Sequence, residues 1–280
     1  FKNKNYVKLK DSIKFASLAS NYVGFIDAIN QASRISYVDE TDYISSPRVT
    51  RLIKSKAIQE CGSGEQLNYE MLLETKPIVI AYEIEGSSNP IFERCKKLDL
   101  NTLNCTDFKE LHPLGRAEWL KVFAWLCNTE EEGERLYQEI ETHYLETTLF
   151  CQSLKNKPTV FAGNLFSGVW NISGGNSFLA QFISDAGGIY SYAEDTVFLN
   201  KAMTFETVYN NCQNTDIWLH PNNYSTYEDL KSEDSRYQLF KAFQQRKIYN
   251  NNKKLNEHGG NAIWEMGVVR PDIVLRDMAT

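Results

Sequence analysis

EEEGERLYQEIETHYLETTLFCQSL, residues 130–154, is the stretch on which the fold turns. It holds no proline and a single glycine, Gly133, so little in it interrupts a helix. Leu136, Ile140 and Tyr144 recur at helical spacing, and acidic residues fill the opposite face. At 1.5 Å per residue such a helix spans roughly 35 Å, about the width of a small domain. Two readings fit that periodicity equally: a surface helix of one larger domain, or a rigid strut between two.

The same rhythm runs on either side of it. Before it, apolar runs at 13–18, 35–38, 57–59 and 78–82 alternate with helix-like segments at 22–30, 47–54, 68–74 and 89–97. Short connections and this alternation are the pattern of an α/β unit with a largely parallel sheet. After it, strands are expected at 159–165 and 169–172, followed by a turn at Gly174-Gly175. Asn176 or Ser177 can cap a helix to Ala186, which Gly187-Gly188 then ends. Further strands are expected at 217–219 and 248–250, with Thr204 opening an intervening helix and Pro271 starting a last one at 271–278. The division expected is an N-terminal α/β lobe at 1–128, a backbone helix at 129–155 and a C-terminal α/β lobe at 156–280.

Of 280 residues, 42% are hydrophobic and 24% charged, the balance of an ordinary globular chain. A formal charge of −6 argues against a nucleic-acid surface, which needs a basic patch. No apolar run reaches the length of a transmembrane helix. The chain starts at Phe1 rather than Met, so a removed leader or tether is expected upstream. Its six cysteines show no zinc-type spacing; Cys127 and Cys151 read as core, and Cys95 could pair with Cys105 in an oxidising compartment.

Catalytic motifs are missing. The four histidines, His112, His143, His220 and His258, are scattered, and no G-x-S-x-G is present. Gly62-Ser63-Gly64 lacks the Lys-Ser/Thr of a phosphate loop and reads as a turn. Open α/β sheets bind ligands at strand C-termini, which here offer rings and amides rather than an acid–base couple. The candidates are Tyr22, Tyr82, Glu83 and Arg116 in the first half, and Trp170, Asn251, His258 and Trp264 in the second. Two carboxylates, Glu70 and Glu206, stand just inside helices opened by Asn68 and Thr204. Helix-dipole complementarity accounts for both; the functional alternative is one exposed acidic contact per lobe for a basic partner.

Leu67-Asn68-Tyr69-Glu70, then Lys76-Pro77-Ile78-Val79-Ile80-Ala81, resembles the first-lobe signature of the ferric-siderophore and vitamin B12 periplasmic binding proteins. So does Trp170…Gly174-Gly175-Asn176-Ser177-Phe178…Asp185-Ala186-Gly187-Gly188 in the second half. The segments 112–119 and 264–272 look like those of the Bacteroidetes branch. The resemblance implies a class III periplasmic binding protein, two Rossmann-like lobes joined by one long α-helix, with ligand held between them and little closure. The strut reading follows from it. It also implies a non-enzymatic ABC-importer subunit, monomeric, periplasmic or tethered as a lipoprotein, with no resident cofactor. Glu70 and Glu206 fall on the family's permease-docking positions, Glu206 after a one-residue adjustment. The cargo expected is a bulky ferric siderophore or corrinoid, ahead of haem or a bare metal ion, with a chelatase-like enzyme as the remaining alternative. Arg116 would serve an anionic siderophore, Tyr22, Tyr82 or His258 a haem iron, and Trp170, Trp264 and Asn251 a corrinoid.

Overall fold

Phe15, Ala16 and Ser17 are wholly buried, as a strand flanked by neighbours on both edges and covered on both faces must be. They form β1 (Phe15–Ser17), which pairs in parallel with β2 (Ile35–Val38) on one side and β4 (Ile78–Ala81) on the other. β3 (Gln59–Glu60) and β5 (Thr102–Asn104) complete a parallel sheet of order β3-β2-β1-β4-β5. The order reverses between β1 and β4, so their C-terminal ends form the sheet's switch point. The computed structural model describes residues 13–83, 88–196, 200–222 and 224–279; the Phe1 end lies outside them.

Local chemistry sets the helices between these strands. They are α1 (Ser20–Ala28), α2 (Pro47–Lys54), α3 (Tyr69–Thr75) and α4 (Pro90–Lys97). Ser46 caps α2 by accepting from the Val49 amide, and Pro47 stands in its first turn. Asn68 caps α3 by accepting from Glu70 and Met71, and Lys76 ends it in the left-handed region at φ 46°. Asn89 caps α4.

Two longer helices follow, α5 (Pro113–Leu126) and α6 (Glu130–Ser153), turned by Asn128 at φ 56°. Gly133 is the reason they lie so close: a Cβ there would collide with the Cβ of Ala124. Tyr137, Ile140, Tyr144 and Cys151 form the buried stripe of α6, while Leu136 is half-buried. The 24-residue helix belongs to one compact unit as far as Glu141 and to a second from Thr142. The chain is thus an α/β fold of two lobes linked by one long helix, the architecture expected from sequence. The first unit also takes Leu114–Glu141 and Leu255–Pro271; the second takes Glu110–Pro113 and the chain from Asp272.

The second unit contains β6 (Thr159–Ala162), β7 (Leu165–Phe166), β8 (Val169–Ser173), α7 (Phe178–Asp185), β9 (Ile189–Tyr190), β10 (Asn200–Met203) and α8 (Phe205–Cys212). Then come β11 (Ile217–Leu219), α9 (Tyr227–Glu233), α10 (Lys241–Gln244) and β12 (Ile248–Tyr249). A parallel sheet of order β12-β11-β6-β9 switches between β6 and β11, and a smaller antiparallel sheet runs β10-β8-β7. The strand expected at 159–165 is broken by Gly163 at φ 85°, and Ser167-Gly168, both at positive φ, turn β7 back onto β8. The core is aromatic: Phe161 stacks on Trp218 and Phe240 at centroid distances of 5.2 and 5.0 Å, and Tyr237 meets Trp218 edge-on at 5.1 Å. The chain ends with α11 (Met266–Val269), packed in the first unit, and α12 (Pro271–Met278).

The cysteine pairing considered from sequence does not occur. All six cysteines are buried thiols. Cys95 packs with Tyr37, Leu67, Leu72 and Val79, whereas the Cys105 sulfur faces Asp107 Oδ1 at 3.9 Å.

Candidate functional site: strand ends and exposed carboxylates

In the first unit, the switch point between β1 and β4 presents Tyr82 and Glu83 immediately after β4. The Tyr82 ring is 43% exposed and rests edge-on against Phe108. Glu83 has a structural duty, since its Oε1 accepts from the Asn89 amide at 3.0 Å and its own amide donates to Asn104 Oδ1. Tyr22 and Arg116 lie deeper than expected of ligand contacts. Tyr22 is 1% exposed and donates its hydroxyl to the Cys105 carbonyl at 3.0 Å, and burial raises its pKa. Arg116 Nε binds Asp107 Oδ2 at 2.7 Å, and Asn21 donates to the other oxygen of that buried carboxylate. These residues brace the β5 and α5 loops from beneath.

Further along the same sheet edge, beyond β2 and β3, a concavity of about 370 Å³ opens. Asp39, Glu40, Asp42 and Glu60 line it together with Tyr43 and His258, over a floor of Gly62, Ser63 and Gln66. Burial raises the Asp39 carboxyl to about 6, partly offset by backbone amides. His258 Nε2 lies 3.8 Å from Asp42 Oδ1 and 3.5 Å from Glu257 Oε1. The wall is therefore acidic, and among the described residues no Lys or Arg lines it.

The His258 loop is bolted to the loop after β2 by two side chains. Asn256 Nδ2 donates to the carbonyls of Asp42 and Ile44, while its Oδ1 accepts from His258 and Gly260. Glu265, wholly buried, accepts from the Ser45 and Ser46 amides at 2.6 and 2.9 Å. Burial pushes the Glu265 carboxyl up to about 7. Between these anchors Trp264 closes a short helical turn, 57% exposed. The sequence puts His258 and Trp264 among the candidate contacts but does not single out Asp39, Asn256 or Glu265, whose roles depend on contacts across the fold.

In the second unit, Trp170 is not at the surface. It is 0% exposed, and its indole N–H donates to the Ala162 carbonyl at 3.0 Å. A β-strand residue facing the core reads in sequence like an aromatic at a strand end, and only pairing to β7 and β10 separates the two. Asn251 follows β12 in a loop tied down by its neighbours: Asn250 donates to the carbonyls of Asn222 and Tyr224, and Asn252 also donates to Tyr224. At the end of β11, His220 adopts φ 51°, unusual for a residue with a side chain. Among the described residues its buried Nδ1 has no hydrogen-bond partner, and burial holds the imidazole pKa down to about 4. Nothing in the sequence sets it apart from the other three scattered histidines.

Glu70 and Glu206 are both exposed and both stand second after a helix N-cap, Asn68 for α3 and Thr204 for α8. Among the described residues no three His, Cys, Asp or Glu side chains converge as a metal site, and no helix is long and apolar enough to cross a membrane.

Residues 16–255 match the model of a family described as periplasmic binding protein. An uncharacterized lipoprotein of Methanocaldococcus jannaschii is 24% identical over 235 residues, which is 83% of this chain but 54% of that protein. The chain thus spans about half the length of that curated relative. A Staphylococcus epidermidis structure, described as a possible iron-binding periplasmic solute-binding protein, aligns with TM-score 0.73 at 17% identity over 96% of this chain and 98% of the other. The periplasmic heme-binding protein RhuT of Roseiflexus sp. aligns with TM-score 0.66 at 19% identity over 96% and 100%.

Proposed function

The chain belongs to the periplasmic binding protein family, and on that premise we propose that it is the substrate-binding component of an ABC importer. It takes a ferric siderophore or a corrinoid at the C-terminal strand ends of its sheets and hands it to a permease. Its role is binding, not catalysis. The observation that carries this reading is the family match over 16–255, with aromatic, amide and carboxylate groups gathered on loops beyond parallel strands.

The acidic wall of the first unit narrows the cargo. Four carboxylates, with no Lys or Arg among the described lining residues, repel a multiply anionic catecholate chelate, and Arg116 is engaged by Asp107. A neutral or cationic ferric chelate or a corrinoid meets no such penalty, and in the first unit Tyr82 and Trp264 supply exposed rings for it. Haem is the second reading, supported by the likeness to the Roseiflexus heme-binding protein and by the exposed Tyr82 near the switch point. A bare ion is the poorest fit, because it needs three or four converging donors. The protein acts as a monomer outside the cytoplasmic membrane, periplasmic or lipid-tethered, in keeping with the lipoprotein description of the M. jannaschii relative. Glu70 and Glu206 are its contacts for arginines of the permease.

Tryptophan fluorescence provides the test, since Trp264 and Trp125 are both substantially exposed. Titration with cyanocobalamin, a ferric hydroxamate, a ferric catecholate and haem is expected to give saturable quenching with the first or second and weak quenching with the third. Saturation by haem alone moves the cargo to the second reading. No saturable response to any of the four overturns the cargo assignment.

A further inference from the structure

The starts of α3 and α8 share more than a capped carboxylate. In each, the first helical residue is aromatic, Tyr69 or Phe205, and an arginine lies over its ring. Arg94 sits 5.5 Å from the Tyr69 centroid, and Arg236 sits 4.1 Å from that of Phe205. The two sites differ in the last contact. Among the described residues Arg94 makes no ion pair with Glu70, whose carboxylate is unoccupied. Arg236 places Nη1 3.1 Å from Glu206 Oε1 while its Nε and Nη2 hold Asp234 at 2.7–3.2 Å.

We infer that the two docking carboxylates are unequal: Glu70 is the free anchor that a guanidinium-bearing partner meets first, and Arg236 is an internal cap that must be displaced before Glu206 engages. This rests on the docking reading above. The physical basis is competition for one acceptor. A guanidinium forked onto two carboxylates and laid on a ring is pre-organised, so an incoming arginine exchanges one ion pair for another at Glu206. At Glu70 it only displaces water. The second unit's contribution to docking is correspondingly smaller, and Arg236 is a specificity-setting residue that penalises partners too weak to displace it.

The test measures docking of the ligand-loaded protein to its cognate permease–ATPase complex in proteoliposomes, read as apparent Kd from ATPase stimulation. Glu70→Gln is expected to weaken docking more than Glu206→Gln does. Arg236→Gln is expected to tighten it about two- to fivefold, the scale of exchanging one exposed ion pair, and the gain should vanish in the Arg236→Gln/Glu206→Gln double variant. Arg236→Lys, which keeps the charge but replaces the planar fork with a single nitrogen, should give a smaller gain and guards against misfolding of the glutamine variant. Weaker or unchanged docking for both Arg236 variants, with Glu206→Gln still impaired, overturns the cap and leaves the docking reading standing. If neither Glu70→Gln nor Glu206→Gln changes docking, the docking reading itself fails and the cap with it.

Discussion

Glu265 has no exposed surface, its two oxygens take the amides of Ser45 and Ser46, and Asp27 lies near enough to oppose its charge. Burial dominates and the folded carboxyl titrates near 7 rather than 4.5. Between those two values the folded chain holds more proton than the unfolded one, so this residue's contribution to stability declines as pH rises from about 4.5 through about 7 and is level above. His220 works in the other direction. Its folded pKa near 4 lies below the ordinary 6.5, so its contribution is complete above pH 6.5 and is lost as pH falls toward 4. Glu265→Gln removes the first slope and pairs an amide N–H with a backbone N–H, at a cost of about 1–3 kcal/mol. Melting temperatures of parent and variant from pH 4.5 to 8 should show the parent's advantage shrinking as pH rises to 7, then constant. A difference independent of pH would mean that the carboxyl titrates normally.

The elements most legible in the sequence were those whose ends are set by neighbouring residues. Pro47–Lys54, Ile217–Leu219 and Pro271–Met278 fall where proline, serine and apolar runs place them, and α6 stops one residue short of the end of the periodic stretch 130–154. The strand expected at 169–172 is β8, but its hairpin pairing with β7 and the strand β10 were not legible, because a two-residue Ser167-Gly168 turn and an edge strand of mainly exposed residues leave little apolar pattern. For the same reason Glu70 and Glu206 could be placed from their caps, while Trp170, a ligand candidate by sequence, lies in the core, and nothing in the sequence singles out Asn256, Glu265 or His220. Gly133 illustrates how an element's packing is written in one residue. Alanine favours a helix over glycine by about 1 kcal/mol, yet a Cβ at 133 runs into Ala124 of the neighbouring helix. Gly133→Ala is therefore expected to destabilise by about 1–3 kcal/mol in urea unfolding, the usual penalty of overpacking. Ala124→Gly in the same chain should recover most of it. Stabilisation by Gly133→Ala alone would show that the α5–α6 approach is looser than described.

At the scale of the molecule, the two units are not consecutive pieces of chain. Leu255–Pro271 belongs to the first unit, although the sequence around it belongs to the second, and α12 returns to the second. The returning segment is integral to the first unit. Val268 and Val269 are buried, a Val269 methyl packs against Gly24 of α1, and Asn256 and Glu265 hold the loop that shapes the acidic concavity. In the second unit α12 buries Leu275 wholly, and the buried Asp272 lies 3.7 Å from His143 on α6. Burying each aliphatic side chain contributes about 1.5–3 kcal/mol, and a folded chain of this kind has only about 5–15 kcal/mol in hand. A chain ended at Lys254 forfeits Val268, Val269 and Leu275 together with the Glu265 bonds, a loss of the same size as the whole stability. Such a truncated chain is expected to show no cooperative thermal transition and little near-ultraviolet dichroism, in either unit. A transition within a few degrees of the parent would show instead that each lobe is complete without the C-terminal return, and that the loop bearing His258 and Trp264 is an appendage rather than part of the first lobe's frame.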